Sequence, residues 1–348
     1  MPANLSPEYK AAEAAFRKAR EPRERLEGLR EMLRTIPKHK GTDHLQADIK
    51  RRIKELAEEL EGPRKGGARG GPALVVRPEG AAQIALLGPP NSGKSALHAR
   101  LTGSNAHVGE YPFTTQHPEP GMMTHEDVHF QLVDLPAVSP LHPVPWLAGT
   151  LAMADASLLV VDLGEPNCLE QVEAVHAELR EKRVTLSERW PVTEGPADGG
   201  RGAPAAEASP DDDPFALRLP ALLVANKADL SADEAAELEA FRDLTGLRYP
   251  ALVASATTGQ GLAGIGPWLF RSLGIVRAYT KAPGKPPAKD HPFTLRRGQT
   301  VEDVARLVHE DIAQSLRYAR VWGKSGFEGQ HVGREHVVED GDVIELHA

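Results

Sequence analysis

Two kinds of apolar spacing divide the chain. Near the N-terminus Leu26, Leu29, Leu33 and Ile36 recur at helical spacing, as do Leu45, Ile49, Ile53, Leu56 and Leu60, with Pro37 to Gly41 as the turn between them. That pattern predicts a helical hairpin. Farther along, short apolar runs take over: Ile84–Leu87, Ala221–Ala225 and Ala251–Val253 read as buried strands, and Val128–Val133 alternates before ending in Asp134. Ser95–Leu101 and Leu262–Leu273 read as helices set among them. Buried strands alternating with helices predict an α/β fold with a doubly wound, mostly parallel sheet. At the C-terminal end Phe293–Leu295, a turn at Arg296–Gln299, a capped helix Thr300–Leu316, Ala319–Trp322 and a strand Val343–Leu346 outline a small mixed sheet gripping one helix. This is a β-grasp pattern.

Punctuation between these blocks sets the boundaries. Gly62–Pro72 is a basic, glycine-rich stretch that cannot pack and reads as a flexible linker. Trp190–Asp213 is rich in Pro, Gly, Ala and Asp and reads as a disordered surface insertion. A Pro/Lys stretch at Thr280–Lys289 follows the helix that ends at Leu273. The expected division is a helical hairpin arm over 1–62, a linker over 63–80, an α/β domain over 81–275 with the insertion at about 190–214, and a β-grasp domain over 276–348.

Composition narrows the partners. At 348 residues the chain has room for about two to three domains. A formal charge of −8 means that no global basic field draws it onto nucleic acid, so such a contact must be a local patch. The densest basic cluster joins Lys38, His39 and Lys40 at the bend of the arm with Lys50, Arg51, Arg52 and Lys54 on its second helix. It reads either as a solvated helix face balanced by Glu55, Glu58, Glu59 and Glu61, or as an RNA phosphate contact. A single cysteine, Cys168, excludes an internal disulfide, suits a reducing compartment, and reads as a small apolar helix residue rather than a nucleophile. No run is long and apolar enough to cross a bilayer, and no signal-peptide pattern opens the chain, so a cytoplasmic protein without membrane contact is expected. The sequence does not name an oligomeric state.

Chemistry enters with Gly88-Pro89-Pro90-Asn91-Ser92-Gly93-Lys94-Ser95, which fits GxxxxGK[ST] between a buried strand and a helix. In such a P-loop, backbone N–H groups running into Ala96 face the α- and β-phosphates, Lys94 reaches the β/γ-phosphates and Ser95 ligates Mg²⁺. Downstream, Asn226-Lys227-Ala228-Asp229 supplies a carboxylate able to accept from both N1–H and the exocyclic amine of guanine, a donor pair that adenine lacks. The same run also reads as a polar strand-to-helix turn, because Ser231-Ala-Asp-Glu234 makes a capping box. Ser255 and Ala256 are expected to close over the base edge through backbone N–H groups. Asp134 is the candidate for holding Mg²⁺, commonly through water. Thr115, with Thr114 as second choice, is the candidate hydroxyl that completes the Mg²⁺ shell and orders Tyr111–Gln116 while a third phosphate is present. His125 and His129 flank Asp127 on what reads as an exposed strand edge and make a poor metal site.

Taken in order, Thr35-Ile-Pro-Lys-His-Lys-Gly41, Gly88–Ser95, Tyr111–Thr115, Asp134-Leu-Pro136, Asn226–Asp229, Arg320-Val-Trp-Gly323, Gln330–Gly333, His336 and Asp340–Ile344 resemble the developmentally regulated GTP-binding proteins of the Obg-like superfamily. The C-terminal part resembles the TGS domain. This resemblance covers roughly Glu21–Val138 and Ala221–Ala348 and implies a P-loop GTPase domain, GTP or GDP as ligand, Mg²⁺, and a cytosolic role linked to ribosomes, RNA or translation. Departures accompany it. The family's glycine after Asp-x-Pro is Ala137, whose methyl is unfavourable if φ must be positive. Val138 stands where many GTPases place a water-orienting glutamine, and Ser139–Trp146 replaces a glycine-rich switch with a stiff segment. Superfamily members with an apolar residue at that position often use K⁺ beside the phosphates, ligated by the asparagine that matches Asn91; alternatively Asn91 only stabilises the turn. Two functions are open: a slow GTPase whose arm and TGS domain report nucleotide state to a ribosomal or RNA partner, or a protein that holds GTP or GDP as a structural ligand and hydrolyses little.

Overall fold

The computed structural model describes residues 6–19, 22–37, 42–61, 76–104, 115, 117–139, 144–192, 216–287 and 291–348. These fall into two units, one from the N-terminal helices and one from the rest.

The first unit holds helices α1 (Pro7–Lys18), α2 (Pro22–Thr35) and α3 (Asp43–Glu61). The hairpin expected from periodicity is therefore a three-helix unit. α1 escapes the pattern because its core positions, Tyr9, Ala12 and Phe16, mix a polar-tipped and a small residue into the stripe. Ser6 caps it, accepting the Tyr9 N–H at 3.1 Å, and its hydroxyl donates to the Thr35 carbonyl at 3.2 Å, tying the start of α1 to the end of α2. Where the two helices cross, a Cβ on Gly28 would lie 3.1 Å from the Phe16 backbone, so the small residue sets the approach. Leu29, Met32, Ile36 and Ile49 complete the core. Lys38, His39 and Lys40 lie outside the described residues.

In the second unit a seven-stranded sheet runs β2 (Glu119–His125), β3 (Val128–Asp134), β1 (Ala82–Leu87), β4 (Ala156–Asp162), β6 (Leu217–Asn226), with β5 (Val184–Ser187) and β7 (Ala251–Val253) both pairing β6. All pairings are parallel except the β2–β3 hairpin. Alternate residues of the central strands feed two cores: Ala85 and Leu87 meet α5 (Leu147–Leu151), α6 (Cys168–Glu181) and α7 (Glu234–Thr245), while Ile84 and Leu86 meet α4 (Lys94–Thr102) and α8 (Ile265–Ser272). The sheet is doubly wound, as expected.

Two expected linkers turn out shorter than drawn. Within 63–80, residues 76–80 are folded onto the sheet: Val76 is buried, its carbonyl accepts Gln83 Nε2 at 3.2 Å, and Gly80 bridges to Phe130. Residues 63–75 lie outside the described ones. The insertion does not begin at Trp190. That indole is 2% exposed, packs edge-on against Trp268 at 4.4 Å and donates to the Ala221 carbonyl at 3.2 Å; residues 193–215 lie outside the described ones. Ser231 is also not a cap; Asp233 caps α7 by accepting the Ala236 N–H.

A second sheet of five strands is ordered β11 (Gln330–Val332), β10 (Tyr318–Trp322), β12 (Asp342–His347), β8 (Ile275–Thr280), β9 (Phe293–Arg296). β8 follows α8 after only Leu273 and Gly274, the latter at φ 63°, and pairs with β9 and β12. The Pro/Lys stretch from Thr280 is thus a loop inside this domain and not its border. The expected single helix Thr300–Leu316 is broken at His309, whose extended backbone ends α9 (Val301–Val308) and whose Nδ1 accepts the Asp311 N–H to start α10 (Glu310–Ser315).

The two sheets of this unit are tied by two arginines. Arg277 on β8 donates from Nε and Nη2 to Asp340 at 2.9 and 2.8 Å and from Nη1 to Glu126 and Asp127 at 2.6 and 2.9 Å. Its guanidinium lies 5.0 Å over the Phe270 ring, and the Tyr279 hydroxyl joins it on Asp127. Arg296 pairs with Asp155 at 3.0 Å, whose second oxygen accepts the Gln83 N–H. Among the described residues no helix is long and apolar enough to cross a membrane.

Candidate functional site: a P-loop and guanine-recognition cleft

The phosphate loop leaves β1 at Gly88, where a Cβ would sit 2.2 Å from the Val160 carbonyl, and enters α4 at Gly93, where a Cβ would sit 2.3 Å from Asn226 Nδ2. Both have positive φ, 150° and 88°. No other residue fits either place, which is the physical content of the two glycines in the motif. The Pro89 carbonyl accepts both Ser92 Oγ at 3.1 Å and Lys94 Nζ at 2.8 Å, curling the loop over the N-terminus of α4. No side chain caps that helix, so its first N–H groups point into the loop. Burial pulls the Lys94 ammonium down to about 8, opposed by the negative Asp134.

Ser95, Thr115 and Asp134 come together although they are far apart in sequence. Ser95 Oγ donates to Asp134 Oδ2 at 2.5 Å, Thr115 Oγ1 donates to the same oxygen at 3.2 Å, and the two hydroxyls are 3.1 Å apart. Asp134 is fully buried, and its Oδ1 has no hydrogen-bond partner among the described residues. Two hydroxyls around a buried carboxylate with an unsatisfied oxygen form a hard-oxygen donor set of the kind that suits Mg²⁺. Thr114 and the rest of Tyr111–Phe113 lie outside the described residues.

Asn226 links the loop to the base-recognition turns. Its Nδ2 donates to the Ser92 carbonyl and its Oδ1 accepts the Ala256 N–H, each at 3.0 Å. The Ser255 N–H donates to Gln260 O at 3.0 Å. The two amides expected to face the base edge are thus bonded within the turns. What this segment offers instead is the Ser255 hydroxyl, which donates to Asp229 Oδ1 and leaves the exposed carboxylate oriented. Lys227, at φ 64°, pairs through Nζ with Asp162 Oδ2 at 2.7 Å. Asp162 was not a sequence candidate. The signal available was an acidic residue closing the apolar run Ala156–Val161, next to β1 in the sheet.

The departures resolve individually. Ala137 is not among the described residues with positive φ, so its methyl brings no backbone strain. Val138 is 2% exposed, sits in the core with Leu135 and Leu147, and its N–H donates to the Gly88 carbonyl at 3.2 Å. Asn91 is exposed, in the left-handed region at φ 59°, with no side-chain hydrogen bond among the described residues. This conformation agrees with a turn role and leaves its amide oxygen open. Cys168 is buried and burial pushes its thiol up to about 11, as suits an inert residue. His129 bonds Thr124 and His125 packs on Phe270, and no group of acidic, His or Cys side chains among the described residues could hold a metal. In the arm, Arg51 and Arg52 both pair with Asp48 on their own helix, while Lys50 and Lys54 are exposed.

Comparison with known proteins agrees with this geometry. Residues 83–189 match the family model described as 50S ribosome-binding GTPase, and residues 276–348 match the TGS domain. An uncharacterized GTP-binding protein of Methanocaldococcus jannaschii is 28% identical over 93% of this chain and 92% of its own length. Developmentally-regulated G-protein 2 of Arabidopsis thaliana is 28% identical over 91% and 88% respectively. Among solved structures, the YchF GTPase of Schizosaccharomyces pombe has TM-score 0.51 at 14% identity, covering 78% of this chain and 99% of that one, a likeness of fold. With the P-loop, the Asn-Lys-x-Asp turn and the C-terminal five-stranded sheet each in place, the chain is a GTP-binding protein with a GTPase domain and a TGS domain, similar over most of its length to the developmentally regulated GTP-binding proteins.

Proposed function

We propose that this protein is a slow GTPase that uses Mg²⁺ and is stimulated by K⁺, acting on or near the ribosome. The observation that carries the reading is the convergence of Ser95, Thr115 and Asp134 on one point with an unsatisfied buried oxygen, directly beside Lys94. Ser95, Thr115 and Asp134 would hold Mg²⁺, which supplies charge against the β- and γ-phosphates. Lys94 and the α4 amides bind the phosphates, and Asp229, oriented by Ser255, selects guanine. Phosphoryl transfer depends on positioning and on cationic charge near the transition state, and Val138 can orient no water because its side chain is in the core. Asn91, with a free amide beside the phosphate cradle, supports a K⁺ ligand in that role. The family described as 50S ribosome-binding and the exposed Lys50 and Lys54 support a ribosomal or RNA partner.

A second reading keeps nucleotide as a structural ligand with little turnover. It is favoured by the stiffness after Asp134, where Val138 is buried and its N–H is bonded to the P-loop. GTP hydrolysis measured in KCl and in NaCl, with and without ribosomes, separates the two. The first expects faster turnover in KCl and loss of that difference in Asn91→Ala with GDP affinity nearly unchanged. Tight GTP binding with no turnover in either salt supports the second.

A further inference from the structure

Ser95 and His98 stand three residues apart on the same side of α4, and both side chains reach β3, Ser95 at Asp134 and His98 at Leu132. His98 is 1% exposed, and an imidazole at that depth needs a partner on each ring nitrogen. Its Nε2 lies 3.3 Å from the Leu132 carbonyl and its Nδ1 3.4 Å from Ser104 Oγ. A carbonyl only accepts, so Nε2 carries a proton and donates it, and in a neutral ring Nδ1 then accepts from the Ser104 hydroxyl. Ser104 is held in turn by Thr102, whose Oγ1 is 2.9 Å from that hydroxyl and accepts the Ser104 N–H at 3.3 Å. On its other side the ring rests on β2. Gly121 pairs with Leu132 across the hairpin, and a Cβ there would come within 2.8 Å of both His98 Nε2 and Thr102 Cγ2. Glycine at 121 is what lets the imidazole reach the carbonyl of the next strand.

The two ties run side by side. They are separated by about 4.5 Å of rise along the helix and by two residues, about 6.6 Å, along the strand. Among the described residues no other side-chain hydrogen bond joins α4 to β3. A single bond from Ser95 to Asp134 is a pivot about which the helix can tilt; a second bond one turn on fixes the angle. That angle matters to the ion expected there. Mg²⁺ takes oxygen ligands at about 2.0–2.1 Å in near-ideal octahedral geometry, so a site whose donors sit on two separate elements binds it tightly only when those elements are held in register.

We propose that His98 is a positioning residue for Mg²⁺ binding, its Nε2 bond to the Leu132 carbonyl locking α4 against β3 so that Ser95 and Asp134 keep the spacing the ion requires. This rests on the reading of Ser95 and Asp134 as the residues that hold Mg²⁺. His98 itself touches neither the ion nor the nucleotide, and the bond to Ser104 serves to orient the ring.

The test follows dissociation of a ribose-labelled fluorescent GDP from the full chain, in EDTA and across a Mg²⁺ titration. His98→Leu fills much of the ring's space without a donor. In EDTA its GDP dissociation should match wild type, while the Mg²⁺ concentration that half-maximally slows dissociation should rise about tenfold, the low end of what residues supporting a metal's ligands contribute. His98→Gln, whose amide can place a donor where Nε2 stood, should recover most of that shift. Gly121→Ala keeps His98 but sets a methyl against Nε2, and should raise the Mg²⁺ midpoint in the same direction; it decides the question if His98→Leu does not fold. An unchanged midpoint in His98→Leu and Gly121→Ala, a midpoint in His98→Gln shifted as far as in His98→Leu, or dissociation that speeds up equally with and without Mg²⁺ would each overturn the proposal, the last because it marks a general loosening of the fold. A wild-type protein whose GDP dissociation ignores Mg²⁺ overturns the Mg²⁺ reading and this proposal together, whereas a wild-type response that the substitutions leave in place overturns the proposal alone.

Discussion

Lys94 donates to the Pro89 carbonyl from a position almost out of water, and burial holds its ammonium near 8 against an ordinary 10.5. The sign follows. With a folded-state pKa depressed in this way Lys94 is still charged below about 8, and carrying that buried charge at neutral pH costs about 3 kcal/mol of stability, a cost that fades as pH rises from about 8 to 10.5. A phosphate set against Nζ reverses that cost and raises the pKa. GDP binding should therefore take up a proton above pH 8, and affinity should fall toward tenfold per unit as pH rises further; calorimetry in buffers of different ionisation enthalpy reads this directly, and Lys94→Met should abolish the uptake. At the other end of the cleft, Asp229→Asn should weaken GTP binding by about 1.5–3 kcal/mol per lost charge-assisted bond and favour xanthosine nucleotides, measured by competition. Equal binding of ATP and GTP by the wild type would contradict the role given to Asp229.

At the scale of elements, the β2–β3 hairpin joins two regions. At one end Glu119 pairs with Asp134, which Ser95 and Thr115 meet; at the other the turn after His125 presents Glu126 and Asp127 to Arg277. Burial pushes Asp127 and Asp340 up, but hydrogen bonds outweigh it, from Tyr279 and Arg277 on Asp127 and from Arg277 on Asp340, leaving both carboxyls below their ordinary value. Arg277 is raised in turn, chiefly by its bonds to Asp340. For such depressed carboxylates the stabilisation is complete above the unfolded value of 3.8 and is lost as pH falls through the lower folded values. Arg277→Met should destabilise this unit by on the order of 2 kcal/mol at pH 7, and the gap to wild type should narrow as pH falls below 3.8, followed by thermal unfolding across pH. A gap that does not narrow at all as pH falls below 3.8 would mean that the loss is packing on Phe270 and not charge.

At the scale of the whole molecule, a chain with net charge −8 meets any polyanion only through local patches. Of the four cations proposed for RNA, Arg51 and Arg52 pair with Asp48 on their own helix, and Lys50 and Lys54 are exposed. Reversing the charge of those two should weaken ribosome co-sedimentation with a shallower salt dependence and leave GDP affinity intact. Sedimentation equal to wild type would return them to a solvated face. The arm has its own core, from Tyr9 to Ile49, so these substitutions on its exposed face should not disturb its folding.

What the sequence by itself determined is what local pattern and short motifs encode. Gly88 and Gly93 announce a loop that only glycine can make, Ala221–Ala225 is apolar enough to require burial on both faces, and Asn226–Asp229 carries its chemistry in adjacent residues. The tertiary structure alone decided whatever depends on neighbours distant in sequence. Trp190 sits among loop-forming residues yet is buried because Trp268 and the Ala221 carbonyl await it. β8 carries the polar Arg277, Tyr279 and Thr280 yet is a strand because β9 and β12 offer their edges. Asp162 reads as the plain end of an apolar run until the parallel register sets it opposite Asn226 and within reach of Lys227. A motif is legible when its physics lies within a few residues; a partner supplied by another strand becomes visible only when the chain has folded.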